Sequence, residues 1–511
     1  MLKHVTDVKL NVKPVFTGME HQYYYEGPCR FGHGEENEPG YDALANGRVL
    51  KGFLADIDSH IGDIDCFNVM EPTVVTSTDG WDIKDEFFDA LLADNANVDV
   101  YITMTSLGTN DYADEFARRC GKPIIPWPGN YFTLFPTAGA KNMGADLVGC
   151  MDWDEIEMSL RVLLAQKVLA NANVLLAPRF NSERANAGGS DTFVSQAEVT
   201  RRFGTNFRYV NMHELLDDMK PLPEGGNHTT PGRADSCNVT EADVAEMEKM
   251  ADELMAGAHT CCIDKQYLVN SLVAWRAVQK VMDYYDCMGF AAPCPDMCST
   301  RRVNEQKFTM CLAHSLNLEQ GIASACEYDV TAALCMLIQM SLSRGAAYMG
   351  NTIPILRRDG VTQMPFFLSE AEKQRYDGMD NLYLVFHSTT CRKLRGFEEK
   401  ASGYALRHFA FDQKFGAVFR HDFNQDEGQN VTFIRISGDL SQMLIGRGTI
   451  LGDISYDTDG CGGGFVFQVE DSRKLFHAQT AQGLHMVYAF GDYTDELTCL
   501  AKRLGLEPVL V

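Results

Sequence analysis

The chain has 511 residues, more than a single hydrophobic core serves, so it is expected to divide into domains. With 45 Lys and Arg against 70 Asp and Glu, its net charge of −25 argues against nucleic-acid phosphates and anionic membrane surfaces as partners. Hydrophobic content of 45% and charged content of 23% are those of an ordinary folded protein.

The first residues, Met1-Leu-Lys-His-Val-Thr-Asp-Val-Lys-Leu10, lack the apolar run of a secretory leader. No apolar stretch approaches the roughly 18 residues of a membrane-spanning helix. Sixteen cysteines without a secretory signal imply reduced thiols and a cytoplasmic setting. Cys294-Pro-Asp-Met-Cys298 has no second pair at a zinc-ribbon distance, so the cysteines read as packing thiols.

Up to about residue 350, short β-rich runs alternate with helical stretches. Val98–Met104, Lys122–Trp127, Asn173–Arg179 and Phe207–Met212 read as strands. Helices are predicted at Tyr112–Cys120, Trp153–Ala170 and His213–Met219. This rhythm predicts parallel α/β layers. Neither GxGxxG nor GxxxxGK[ST] follows any of these strands, so nucleotide binding has no motif behind it. A further helix is expected from an N-cap at Thr240, with Asp243 three residues on, to Gly257. In Lys265–Tyr285 the stripe Leu268, Leu272, Trp275, Val278 and Met282 reads as core. Beyond Asn351 the runs Val431–Ile436, Gly464–Val469 and Gln482–Gly491 suggest an antiparallel β domain, closed by a helix over Thr494–Leu504. The expected domains are 1–165, 166–350 and 351–511.

Three places carry candidate chemistry. Glu327 and Asp329 open the apolar run Val330–Ile338, where unpartnered charge is costly. Two residues apart, they cannot share a helix face, so one can enter a cleft while the other caps the helix. His387 ends the apolar run Leu382–Phe386 and His485 begins another. Taken singly, each carboxylate fits a helix cap and each imidazole a core histidine satisfied by backbone. Taken together, a carboxylate and two imidazoles suit a divalent cation such as Mn²⁺.

The order of these segments resembles the L-fucose isomerase / L-arabinose isomerase superfamily over about residues 95–511. Glu327-Tyr-Asp329 through Gly345-Ala-Ala-Tyr-Met-Gly-Asn351 resembles its acidic motif, apolar helix and Gly-small-small turn. His485-Met-Val-Tyr-Ala-Phe-Gly491 resembles its late histidine and strand. Phe386-His-Ser-Thr-Thr-Cys391 resembles the arabinose branch, and Arg202–Leu215 a strand and helix of the second domain. The resemblance implies two parallel-sheet (Rossmann-like) α/β domains followed by a C-terminal antiparallel β-barrel-like domain. It further implies Mn²⁺ and an aldose–ketose isomerisation of an open-chain sugar through a cis-enediol. Glu327, Asn351, His387 and His485 would be the metal set, Glu327 the principal base and Asp329 a second candidate.

One departure matters. Asn351 stands where the family has a second carboxylate, and an amide can ligate but cannot carry a proton. That keeps open a protein that has lost isomerisation and binds sugar or metal as a sensor, and an epimerase or lyase on the same site. Arg30 and His33, in Glu26–Gly34, are candidate substrate contacts donated to a neighbouring subunit of a homotrimer or homohexamer, or else parts of a surface turn. Arg301 and Arg302 suit a charged C6 substituent such as phosphate or sulfonate, or else pair with acids such as Glu305.

Overall fold

The computed structural model describes residues 3–511 apart from 25–33, 79–83, 106–110, 129–130, 180–192, 223, 226–232, 299–300, 359–360, 364–367, 411, 413 and 455. The chain forms two compact units, residues 8–164 and a larger one of residues 165–511 with 1–7.

The smaller unit holds β1 (Leu10–Met19), β2 (Phe67–Val69), β3 (Thr73–Ser77), β4 (Val100–Thr105) and β5 (Ile124–Pro126). All pairings are parallel: β1 takes β2, β3 and β4 as partners, and β5 lies outside β4. β4 and β5 fall where Val98–Met104 and Lys122–Trp127 predict strands. Val15, Phe88, Leu91, Tyr101, Phe116 and Ile124 close one core here.

The strands of the larger unit are β6 (Asn173–Leu176), β7 (Asn206–Tyr209), β8 (Thr260–Cys262), β9 (Gly289–Ala291), β10 (Ala323–Ala325), β11 (Tyr348–Pro354), β12 (Leu356–Arg358), β13 (Val361–Gln363), β14 (Leu382–Phe386), β15 (Tyr404–His408), β16 (Ala417–His421), β17 (Asn430–Ile436), β18 (Gln442–Ile454), β19 (Gly464–Gln468), β20 (His485–Phe490) and β21 (Glu507–Leu510). A parallel sheet runs β10-β9-β6-β7. An antiparallel sheet runs β17-β20-β11-β14-β19-β18 and closes through β17–β18 pairing, a six-stranded barrel with β21 parallel to β18 outside the ring. The chain is thus mixed α/β, with two parallel sheets and a closed antiparallel barrel. The barrel begins at Tyr348, ahead of Asn351, while β15 and β16 join β8 in a separate sheet.

Closure needs a filled interior. Tyr348, Tyr383, Phe433, Phe465, Phe467 and Tyr488 are fully or almost fully buried, and their rings meet one another across strands. The helix Val330–Ser343 packs against β10 and against β17 and β20 of the barrel. Every residue from Val330 to Leu342 is buried, as an element apolar on all faces requires. The helix Glu241–Gly257 starts with the expected Thr240–Asp243 capping box, and the Leu268–Met282 stripe is buried. No described helix is long and apolar enough to cross a membrane.

Candidate metal centre

β10 ends at Ala325, a short turn follows, and the buried helix begins at Val330. The carboxyl end of a parallel strand is where open α/β sheets place ligands. The turn is strained: Glu327 (φ 58°) and Tyr328 (φ 57°) are both left-handed without being glycine. Surrounding bonds hold them there. The Tyr328 N–H donates to Ala292 O (2.9 Å) and the Asp329 N–H to Cys326 O (3.1 Å). With the chain bent this way, Glu327 leaves the core and stays about a quarter exposed.

Asp329 goes the other way and is fully buried, and both its oxygens are occupied. Oδ1 accepts from Ala332 N (2.9 Å) and Thr331 Oγ1 (2.8 Å), capping the helix. Oδ2 accepts from Arg435 Nη1 (2.6 Å) and faces His485 Nδ1 at 3.0 Å. Burial works to raise this carboxyl, but the Arg435 guanidinium and His485 outweigh it and hold the group well below the usual carboxylate range. A carboxylate opposite Nδ1 keeps a proton on that nitrogen, so Nε2 is the ring nitrogen left to take a cation.

The histidines come from the barrel. His387 follows β14, its N–H donating to Gly463 O (2.9 Å), and His485 is the first residue of β20. His387 Nε2 stands 3.4 Å from Glu327 Oε1, and His485 Nε2 stands 3.7 Å from Glu327 Oε2. The two rings lie 5.7 Å apart, and one donor atom from each of the three residues lies within 4.8 Å of the others. His387 is completely buried, yet among the described residues neither ring nitrogen makes a well-formed hydrogen bond, Nε2 having only its 3.4 Å contact with Glu327. A buried imidazole left so is costly unless something else binds it. Burial pushes the Glu327 carboxyl up, but the facing imidazoles outweigh this and hold it below its ordinary value. One carboxylate and two imidazoles fit a borderline divalent cation.

Asn351 lies on β11 directly opposite both His485 on β20 and Phe386 on β14. It therefore shares a sheet face with its direct partner His485, with Cβ atoms about 4.5–5.5 Å apart by ordinary pairing geometry. Arg302 is tied elsewhere, to Asp217 Oδ1 and to His213 O (3.3 Å), rather than to the Glu305 suggested by proximity in sequence. Arg30, His33 and the Arg301 side chain lie outside the described residues.

Two participants escaped the sequence reading. Arg435 is fully buried inside Val431-Thr-Phe-Ile-Arg-Ile436, and a charge within an apolar strand was the available signal that Asp329 had a partner. A second donor group, Cys294, His314 and Cys326, is assembled from three segments whose spacing resembles no metal motif. No protein-family profile matches the chain, and no curated protein is detectably similar to it.

Proposed function

We propose that the chain is a metal-dependent aldose–ketose isomerase acting on an open-chain sugar, with Glu327, His387 and His485 holding Mn²⁺ or a similar divalent cation. The observation that carries this reading is a partly exposed carboxylate facing two buried imidazoles, one of them without a well-formed hydrogen bond among the described residues. A bound cation would supply Lewis-acid polarisation of a sugar carbonyl.

The residues divide the remaining work. Glu327 is the accessible carboxylate of the set, held ionised, and is the group suited to carry a proton between C1 and C2 of a cis-enediol. Asp329 is a positioning residue, because its oxygens are committed to Arg435, His485 and the helix cap. The three-domain arrangement of the isomerase superfamily, and an oligomer with shared sites, belong to this same reading.

The test is proton exchange at sugar C2. Purified protein with Mn²⁺ is incubated with a panel of aldoses in D₂O, deoxy and C6-charged sugars included, and followed by NMR. Exchange at C2 with ketose formation is expected for at least one sugar and loss of both in Glu327→Gln. Absence of exchange across the panel refutes the proposal.

Asn351 favours a second reading, a protein that binds sugar or metal without isomerising. If isomerisation occurs only in Asn351→Asp, this second reading is correct.

A further inference from the structure

Next to the proposed centre lies a second cluster of quite different chemistry. Cys294 opens the short helix Cys294–Cys298, His314 lies in the helix Cys311–Glu319, and Cys326 follows β10. All three are buried, and one donor atom from each lies within 4.8 Å of the other two. Cys294 Sγ is 3.5 Å from His314 Nε2.

The imidazole is aimed by a buried chain of polar groups. Trp275 Nε1 donates to Asn317 Oδ1 (3.0 Å), which fixes the amide so that Asn317 Nδ2 donates to Ser324 Oγ (3.1 Å). Ser324 Oγ in turn meets His314 Nδ1 at 2.9 Å. A hydroxyl oxygen has lone pairs enough to accept from both N–H groups, and in that arrangement the His314 Nε2 lone pair is free to take a cation beside the sulfurs. Such a supported imidazole is more than a packing thiol cluster needs.

We infer that Cys294, His314 and Cys326 form a second metal site, specific for a thiophilic cation, Zn²⁺ or Cu⁺. Two thiolates and an imidazole are a soft donor set, whereas the oxygen-bearing set around Glu327 suits harder ions. Three donors match a trigonal Cu⁺, while Zn²⁺ would take one further ligand. The site's place in the fold gives it a structural role. Cys326 directly precedes Glu327, and the Glu327 backbone N–H is turned toward the Cys294 sulfur. A cation bound here would tie the start of the left-handed turn that presents Glu327 to the helices carrying Cys294 and His314.

The test uses the full chain, purified with reductant. Metal content is measured after exhaustive dialysis. Zn²⁺ and Cu⁺ are each titrated against a chromophoric chelator, and Co²⁺ is used as a spectroscopic probe. The expected result is one tightly held equivalent of Zn²⁺ or Cu⁺ and a thiolate-to-cobalt charge-transfer band. Both should persist in His387→Ala. Cys294→Ser and His314→Ala should lose the band and weaken binding by at least about tenfold. The wild-type cobalt spectrum decides the matter even if a variant fails to fold. Absence of the band in the wild type overturns the inference. So does unchanged binding in folded Cys294→Ser, or a Cys294–Cys326 disulfide found by peptide mass in protein isolated without reductant.

Discussion

Replacing Asp329 with Asn separates the stabilising and the positioning roles of one side chain. Asn caps a helix as well as Asp, so the bond to Ala332 N should survive. What is lost is the charge facing Arg435, where both partners are fully buried. Breaking such a pair from one side costs about 3–5 kcal/mol, because the buried guanidinium loses its facing carboxylate. The new amide also presents an N–H to His485 Nδ1. That favours the tautomer with its proton on Nε2, the nitrogen facing Glu327, and metal affinity should fall about 10–100-fold. The double variant Asp329→Asn, Arg435→Met removes the buried charge as well and should regain most of the stability, since apolar replacement of a buried pair is often neutral. It should not regain the affinity. Urea unfolding without metal measures the first effect and Mn²⁺ calorimetry on folded protein the second. A single variant that loses under about 1 kcal/mol, or a double variant that binds Mn²⁺ like the wild type, refutes the reasoning.

Three other outcomes are expected. His387→Phe should abolish tight Mn²⁺ binding yet change metal-free stability by less than about 1 kcal/mol, because the buried ring nitrogens it removes have only the 3.4 Å contact with Glu327 to offset their burial; calorimetry with thermal unfolding checks both. Glu327→Gly should be about 1 kcal/mol more stable than Glu327→Ala in metal-free urea unfolding, since only Gly adopts the left-handed backbone without strain. The depressed Asp329 carboxyl means that near and below its ordinary value of 3.8 the unfolded chain binds the proton more readily than the folded one. Stability from this group is therefore complete above that value and falls as the solution becomes more acidic. Asp329→Asn should flatten the acid limb of a stability–pH curve.

The sequence spoke most clearly where one face or one cap decides the outcome. The Thr240 capping box, the Leu268–Met282 stripe and the strands at Val98 and Asn173 follow from local rules, and the structure has them. That Asp329 caps the helix while Glu327 points away from it was also legible, because carboxylates two apart at a strand-to-helix junction must diverge. Barrel closure was not. β17 pairs with both β18 and β20, and a linear pattern of strands carries no signal for which ends meet. The left-handed turn was hidden because Glu and Tyr are not residues that announce positive φ. The Asp329–Arg435 pair joins residues 106 positions apart, and the sulfur cluster draws on three segments, so neither leaves a local trace.

The origin of the three donors around the proposed cation has a consequence for how the larger unit unfolds. Glu327 is carried by the parallel-sheet layer, while both histidines are carried by the barrel. Any ion held between them acts as a non-covalent staple across the two layers, added to the buried helix and to contacts such as the Asp329–Arg435 pair. Its binding free energy adds to the docking of those layers and scales with the logarithm of free ion concentration. Metal supply would then set how far sheet and barrel melt as one cooperative body.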